Sequence, residues 1–201
     1  MKKIVEKRKT RESEVVAEID FGKRRQFCIN SGLNFLNHAI ETIAWRSCVN
    51  IDLEFKTQGY KLNHVVAEDS GIVLGKAFLK AIEERIAKGI ECCGFSYAAL
   101  DDASALAIVS VEGRANAFIE RNAPGAKLEN VEDMLSADLI AFLNGFAQGL
   151  KGTVRINIET GNDPHEAWET AFRALGEALR KCFQENEWRK GTIAAVKGTL
   201  L

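Results

Sequence analysis

Residues 64–75 read HVVAEDSGIVLG and residues 165–176 read HEAWETAFRALG. At a constant offset of 101 they share a histidine, a glutamate four residues on and a closing Leu-Gly: His64 and His165, Glu68 and Glu169, Leu74-Gly75 and Leu175-Gly176. Working outward, Gly59 is one residue out from Gly161, and Leu53 and Phe55 fall on Val154 and Ile156. The preceding helical stretches share Phe35-Leu36-Asn37 and Phe142-Leu143-Asn144. Ordered similarity through a strand, a loop and a helix points to internal duplication. The expected fold is α+β, with two similar halves, 1–92 and 93–201. Each is a sheet with its helices on one face, and together they form one compact domain over a shared core.

Hydrophobic periodicity fills in the elements. Val15 to Phe21 and Gln26 to Ile29 read as strands joined in a hairpin by Gly22-Lys23-Arg24-Arg25. Asn34 to Cys48 reads as a helix, and Val49 to Thr57 alternates as a half-buried strand should. His64 to Lys88 carries an apolar stripe of Ile72, Leu79, Ile82 and Ile86 opposite Lys76, Lys80, Glu83 and Glu84. Phe95 to Glu120 holds two or three strands, Val131 to Leu150 a helix, Thr153 to Ile158 a strand and Pro164 to Phe183 a second long amphipathic helix.

Composition narrows the class. The 201 residues are 46% hydrophobic and 27% charged, as in an ordinary globular domain, and 27 Lys+Arg against 28 Asp+Glu leave a formal charge of -1. That balance gives no field for gripping nucleic acid or an anionic membrane, and the basic N-terminus, broken by Glu6, Glu12 and Glu14, reads as a solvated edge. The longest uncharged apolar stretch, Ala103 to Val111, is too short to span a bilayer. Five cysteines, Cys28, Cys48, Cys92, Cys93 and Cys182, lack metal-finger spacing and suit a reducing cytoplasm.

In each long helix the His and Glu stand four residues apart, so imidazole and carboxylate project from one face and can chelate a divalent ion. The alternative is local: an acid favoured near the helix N-terminus beside a capping histidine. Gly75 and Gly176, further along those faces, permit a neighbouring element to approach closely.

Thr10-Arg11-Glu12-Ser13, Phe35-Leu36-Asn37-His38, His64 to Asp69, Leu100-Asp101-Asp102, Gly113-Arg114, Gly161-Asn162-Asp163-Pro164-His165 and Lys197-Gly198 together resemble the imidazoleglycerol-phosphate dehydratase family, from about residue 8 to the C-terminus. The resemblance implies two repeats of a ribosomal protein S5 domain 2-like half. It also implies a dehydration step of histidine biosynthesis, two manganese ions held by two His-His-x-x-Glu motifs and further histidines, and an assembly of 24 identical subunits.

Carried over position by position, the resemblance makes His38, His64, Glu68, His165 and Glu169 the metal ligands. It makes Glu12, Glu68 and Glu169 the catalytic carboxylates, and Arg114, Arg173 and Lys197 contacts for the phosphate of a small substrate. The departures are equally specific. Val65 replaces the second histidine of the first motif, Arg155 replaces a strand histidine, Cys92 replaces an arginine and Ala195 a serine; Asp102 shortens a glutamate. In the second motif, aligning Glu169 puts Glu166 at the second histidine, whereas aligning Asn162 puts Pro164 at the first. Valine offers no donor atom and arginine stays protonated, so the ligand set supports one ion, a weaker site assembled between subunits, or none. The expectations are superimposable halves, a symmetric homo-oligomer, and weak or absent turnover of the family substrate. The rival is a catalytically inactive paralogue serving as a binding or structural assembly.

Overall fold

The computed structural model describes residues 3–196 and 198. The first half contains β1 (Ile4–Lys9), β2 (Ser13–Asp20), β3 (Ile29–Asn30), α1 (Asn34–Ser47), β4 (Asn50–Thr57) and α2 (Asn63–Glu83). The second contains β5 (Cys93–Leu100), β6 (Ala103–Ser110), β7 (Asn116–Arg121), α3 (Pro124–Lys127), β8 (Asn130–Val131), β9 (Met134–Leu135), α4 (Ser136–Leu150), β10 (Thr153–Thr160) and α5 (Pro164–Cys182). With α3, β8 and β9 set aside as an insertion before α4, both halves run strand, strand, strand, helix, strand, helix. Their sheets have matching orders, β1-β2-β4-β3 and β5-β6-β10-β7. In both, the third strand lies parallel to the fourth and the remaining pairs are antiparallel.

The inner faces are apolar because alternate residues point one way: Val15, Ala17 and Ile19 in the first sheet, Ala105, Ala107 and Val109 in the second, all buried. Helices cover those faces, α2 on β1 and β2, α5 on β5 and β6, and the halves meet helix to helix, α2 against α4 and α1 against α5. α5 starts where Asp163 accepts from the Glu166 backbone N–H at 3.1 Å with Pro164 in the first turn, and ends in Arg180 and Lys181.

The α2–α4 crossing is backbone against backbone. A Cβ on Gly71 would sit 2.2 Å from the Phe142 carbonyl oxygen, and one on Gly75 2.2 Å from that of Phe146. Conversely, Cβ atoms on Gly145 and Gly149 would fall 2.3 Å and 2.1 Å from the carbonyls of Glu68 and Ile72. Gly176 plays the part of Gly75 at the other crossing, against Ile43 and Arg46 of α1.

Several expectations need correction. The segment 26–29 does not form a hairpin with β2; β2 pairs instead with β1 and β4, while β3 lies parallel to β4. The strand β1 escaped the periodicity argument because Val5, Lys7 and Lys9 face solvent, the charged edge expected of an exposed strand. The offset of 101 holds for the long helices, which start at Asn63 and Pro164, but not before them. α1 and α4 end on left-handed residues Cys48 and Lys151, and β4 and β10 start at Asn50 and Thr153, all at an offset of 103. The loop after the strand is two residues shorter in the second half. A two-residue slip keeps every strand side chain on its own face, so alternation could not reveal it. The two Phe-Leu-Asn triplets lie one helical turn apart in the true alignment: a slip of four residues likewise preserves the helix face.

Candidate metal centre

The site lies at the α1–α5 crossing. Leu33 precedes α1 without offering a side-chain cap, and the N-terminus is satisfied from the other half: Asp133 accepts from the backbone N–H groups of Asn34 at 2.6 Å and Phe35 at 2.9 Å. Asp133 belongs to the β8–β9 turn, where Glu132 adopts a left-handed φ of 52°. This turn fixes the end of α1 that carries His38. Asp133→Ala is expected to lower stability by about 1 kcal/mol, the ordinary worth of a helix cap, as read by chemical denaturation.

His38 Nε2 and His165 Nε2 both approach one atom, Glu169 Oε2, at 3.0 and 3.2 Å. Glu169 is buried, and its other oxygen accepts a fork from Arg173, Nε at 2.9 Å and a terminal nitrogen at 2.7 Å. The second ring nitrogen of His165 meets Glu132 at 2.9 Å, and Phe35 sets its edge against the same imidazole, centroids 5.1 Å apart. Burial pushes the Glu169 carboxyl up, but the hydrogen bonds from His38 and Arg173 outweigh it and hold the group below its ordinary 4.5. Burial pushes His165 down, yet Glu132 and Glu169 raise it above 6.5.

These shifts make a stability prediction for the metal-free protein. The Glu169 contribution is full above pH 4.5 and lost as pH falls through its lowered folded value. That of His165 is full below pH 6.5 and lost as pH rises through its raised value. Calorimetric melting should therefore show a maximum between these limits, and His165→Ala should remove the alkaline decline attributable to this pair.

His38, His165 and Glu169 are the only His/Cys/Asp/Glu trio among the described residues whose ligand atoms gather within 4.8 Å. Two imidazole nitrogens and one carboxylate oxygen suit a first-row divalent ion, and Arg173 leaves Oε2 as the oxygen turned toward the imidazoles. The residues present therefore fit one ion. The α2–α4 crossing does not reproduce the arrangement. Counting back from the left-handed helix ends, Ala141 occupies the place of His38 and Gly145 that of Thr42, while Ile72 replaces Arg173. Exposed His64 and half-buried Glu68 thus start α2 with no imidazole facing them from α4.

The other sequence-derived candidates are dispersed. Glu12 is exposed in the β1–β2 turn, Arg114 is exposed between β6 and β7, and Lys197 lies outside the described residues. Arg155 points from the outer face of β10 and pairs with Glu120, away from the cluster. Cys92 is buried, and burial raises its thiol pKa. The helix α5 starts one residue before His165, as α2 does before His64, so the register that aligns Glu169 describes the fold. In that register Glu166 takes the second-histidine position, beside Asp101 and Asp163.

A cleft of about 630 Å³ opens from His38 and Glu169 along the α1–α5 groove, lined further by Thr42, Trp45, Arg46, Arg173 and Arg180. Arg46 pairs with Glu177 at 3.0 Å. Sequence reasoning missed Thr42, Arg46, Glu132 and Asp133. The first two follow His38 at four-residue intervals, a signal available on a helix; the last two sit in an aperiodic turn that gave none.

A profile of the imidazoleglycerol-phosphate dehydratase family matches residues 31–179. The chain is 29% identical over 193 residues to imidazoleglycerol-phosphate dehydratase of Methylococcus capsulatus, covering 96% of this chain and 95% of that one. With the protein of the same description from Herminiimonas arsenicoxydans, identity is 32% over 194 residues, with 96% and 95% covered. The solved imidazoleglycerol-phosphate dehydratase of Pyrococcus furiosus superposes with a TM-score of 0.79 at 27% identity, covering 96% of this chain and 98% of that one. The Staphylococcus aureus structure gives 0.78 at 22% identity, covering 92% and 100%, a likeness of fold.

Proposed function

This chain belongs to the imidazoleglycerol-phosphate dehydratase family, and on that premise we propose that it is a metal-dependent hydro-lyase of the histidine-biosynthesis type, diverged in substrate or activity. The convergence of His38, His165 and Glu169 carries this reading. Manganese or another divalent metal would be held by those three residues. A bound ion supplies fixed positive charge beside the substrate's imidazole, stabilising the negative charge left by proton removal.

Glu169 already accepts from His38, His165 and Arg173, which makes it an anchor and a ligand more than a base. Glu12 and Glu68 have carboxylates without a hydrogen-bonded partner among the described residues; both lie away from the cluster within one chain, so either would serve as the base for proton removal from carbon when a neighbouring subunit brings it to the cleft. Hydroxide then leaves the adjacent carbon and takes up a proton as water. Arg46, Arg173 and Arg180, with Glu41 and Glu177 between them, line the cleft in which a phosphate group would sit, and Arg114 and Lys197 would be further contacts supplied by a neighbouring subunit.

Residues 1–92 and 93–201 are read as two repeats of one compact domain. His64 and Glu68, exposed at the start of α2, suit a weaker site completed by another subunit. A symmetric homo-oligomer, up to 24 subunits, is supported by the outer face of the second sheet, which exposes Phe95, Tyr97, Ile108 and Phe118. Five unpaired thiols suit the cytoplasm. No helix of the described residues is long and apolar enough to cross a membrane.

The test is dehydration of imidazoleglycerol phosphate with excess manganese. Val65, Arg155, Cys92 and Ala195 stand where the resemblance expects ligands or phosphate contacts, so turnover is expected to depend on the ion and to fall below about 1 per second. A faster rate would refute the divergence. The second reading, an inactive assembly protein, is favoured by one observation: within the chain both Glu169 oxygens and both His165 nitrogens already have partners. Absence of both turnover and bound ion would establish it over the first.

A further inference from the structure

We propose that Trp45 is the end wall of the α1–α5 cleft and sets how long a ligand the site accepts; this rests on the cleft being the substrate site. A large aromatic left half exposed on a helix calls for a reason, and Trp45 is 50% exposed. It is nevertheless held in place. Arg24 lies over the ring at 4.7 Å from its centroid, and Phe27 meets it edge to face at 6.1 Å and 82°. Both come from the segment between β2 and β3, where the sequence suggested a hairpin turn at Arg24 and a strand at Phe27.

Trp45 lines three cavities at once. On one side is the cleft of about 630 Å³ that begins at His38 and Glu169. Beyond it lie a space of about 580 Å³ bordered by Arg24, Gln26, Phe27 and Glu41, and another of about 320 Å³ bordered by Phe27, Cys48 and Val49. Trp45, together with Glu41, which lines the first two of these spaces, therefore separates the cluster's cleft from room a longer ligand would need. A stacked arginine and an edge-packed phenylalanine hold such a wall at little entropic cost, since the ring has only two torsions to fix. A ligand anchored by an imidazole at the His38–Glu169 end must fit its anionic end against Trp45, beside Arg180 and the Arg46–Glu177 pair. Trp45 is thus a specificity-determining residue for chain length.

The experiment measures binding by calorimetry, in the presence of manganese, of imidazolyl alkyl phosphates with three-, four- and five-carbon chains. The intact protein should bind the three-carbon probe at least about tenfold more tightly than the five-carbon probe. Trp45→Ala should reduce that ratio to within about twofold, and Trp45→Phe should preserve most of it. Arg24→Ala, which frees the ring without removing it, should give an intermediate ratio and guards against a Trp45→Ala variant that does not fold. Unchanged discrimination in folded Trp45→Ala overturns the wall while leaving the substrate site standing. Failure of every probe to bind either protein overturns both.

Discussion

Gly149→Val is expected to abolish the folded state or to cost on the order of 4 kcal/mol or more, because the added carbons meet main chain and not movable side chains. Even a Cβ there would lie 2.1 Å from the Ile72 carbonyl oxygen and 2.8 Å from the Lys76 nitrogen. The helix α2 cannot retreat easily: it is pressed on β1 and β2, and buried Asp69 ties it to Arg8 at 2.8 Å and to Ser13. Gln148→Val, one residue away and exposed, supplies the control for helix propensity and should stay within about 1 kcal/mol of the parent. Denaturant titration of both variants checks the claim. Near-equal midpoints would show that the glycines are not what brings the halves together.

The second large effect is at Glu169. Glu169→Gln keeps the shape but removes the charge that His38, His165 and Arg173 share, and it replaces an acceptor oxygen with a donor amide. Affinity for manganese is expected to fall by about 100-fold or more, roughly 2.7 kcal/mol, with any turnover falling at least as far. Arg173 would keep both hydrogen bonds to the remaining amide oxygen but lose the carboxylate charge it pairs with, so stability should drop by about 1 kcal/mol. Calorimetric titration with manganese separates the two losses. Ion affinity within threefold of the parent would place the ion elsewhere.

The duplication was legible in the sequence because the His-Glu pair and the Leu-Gly close lie on helices whose starts differ by 101 residues. The inward faces of β4 and β10 were equally legible, since alternation marks Leu53 and Ile156 whatever the register. Register itself was not: slips of two residues in a strand and four in a helix preserve the buried face and leave no trace in polarity. At the site, His38, His165 and Glu169 were each named from the residues or the resemblance, but which of them meet was decided by the crossing of α1 on α5, a long-range contact. The asymmetry between crossings hinges on Ala141 and Gly145, small residues whose side chains carry no ligand atom. Glu132 and Asp133 were hidden for the opposite reason: their effect depends on the insertion before α4 reaching across to the other half.

Metal content per chain tests the single-ion site most directly. Protein equilibrated with manganese and freed of loosely held ions should retain one ion per chain, and His165→Ala, judged folded by its melting profile, should retain none. No retained ion in the parent, or one that persists in His165→Ala, would contradict a centre built on His38, His165 and Glu169.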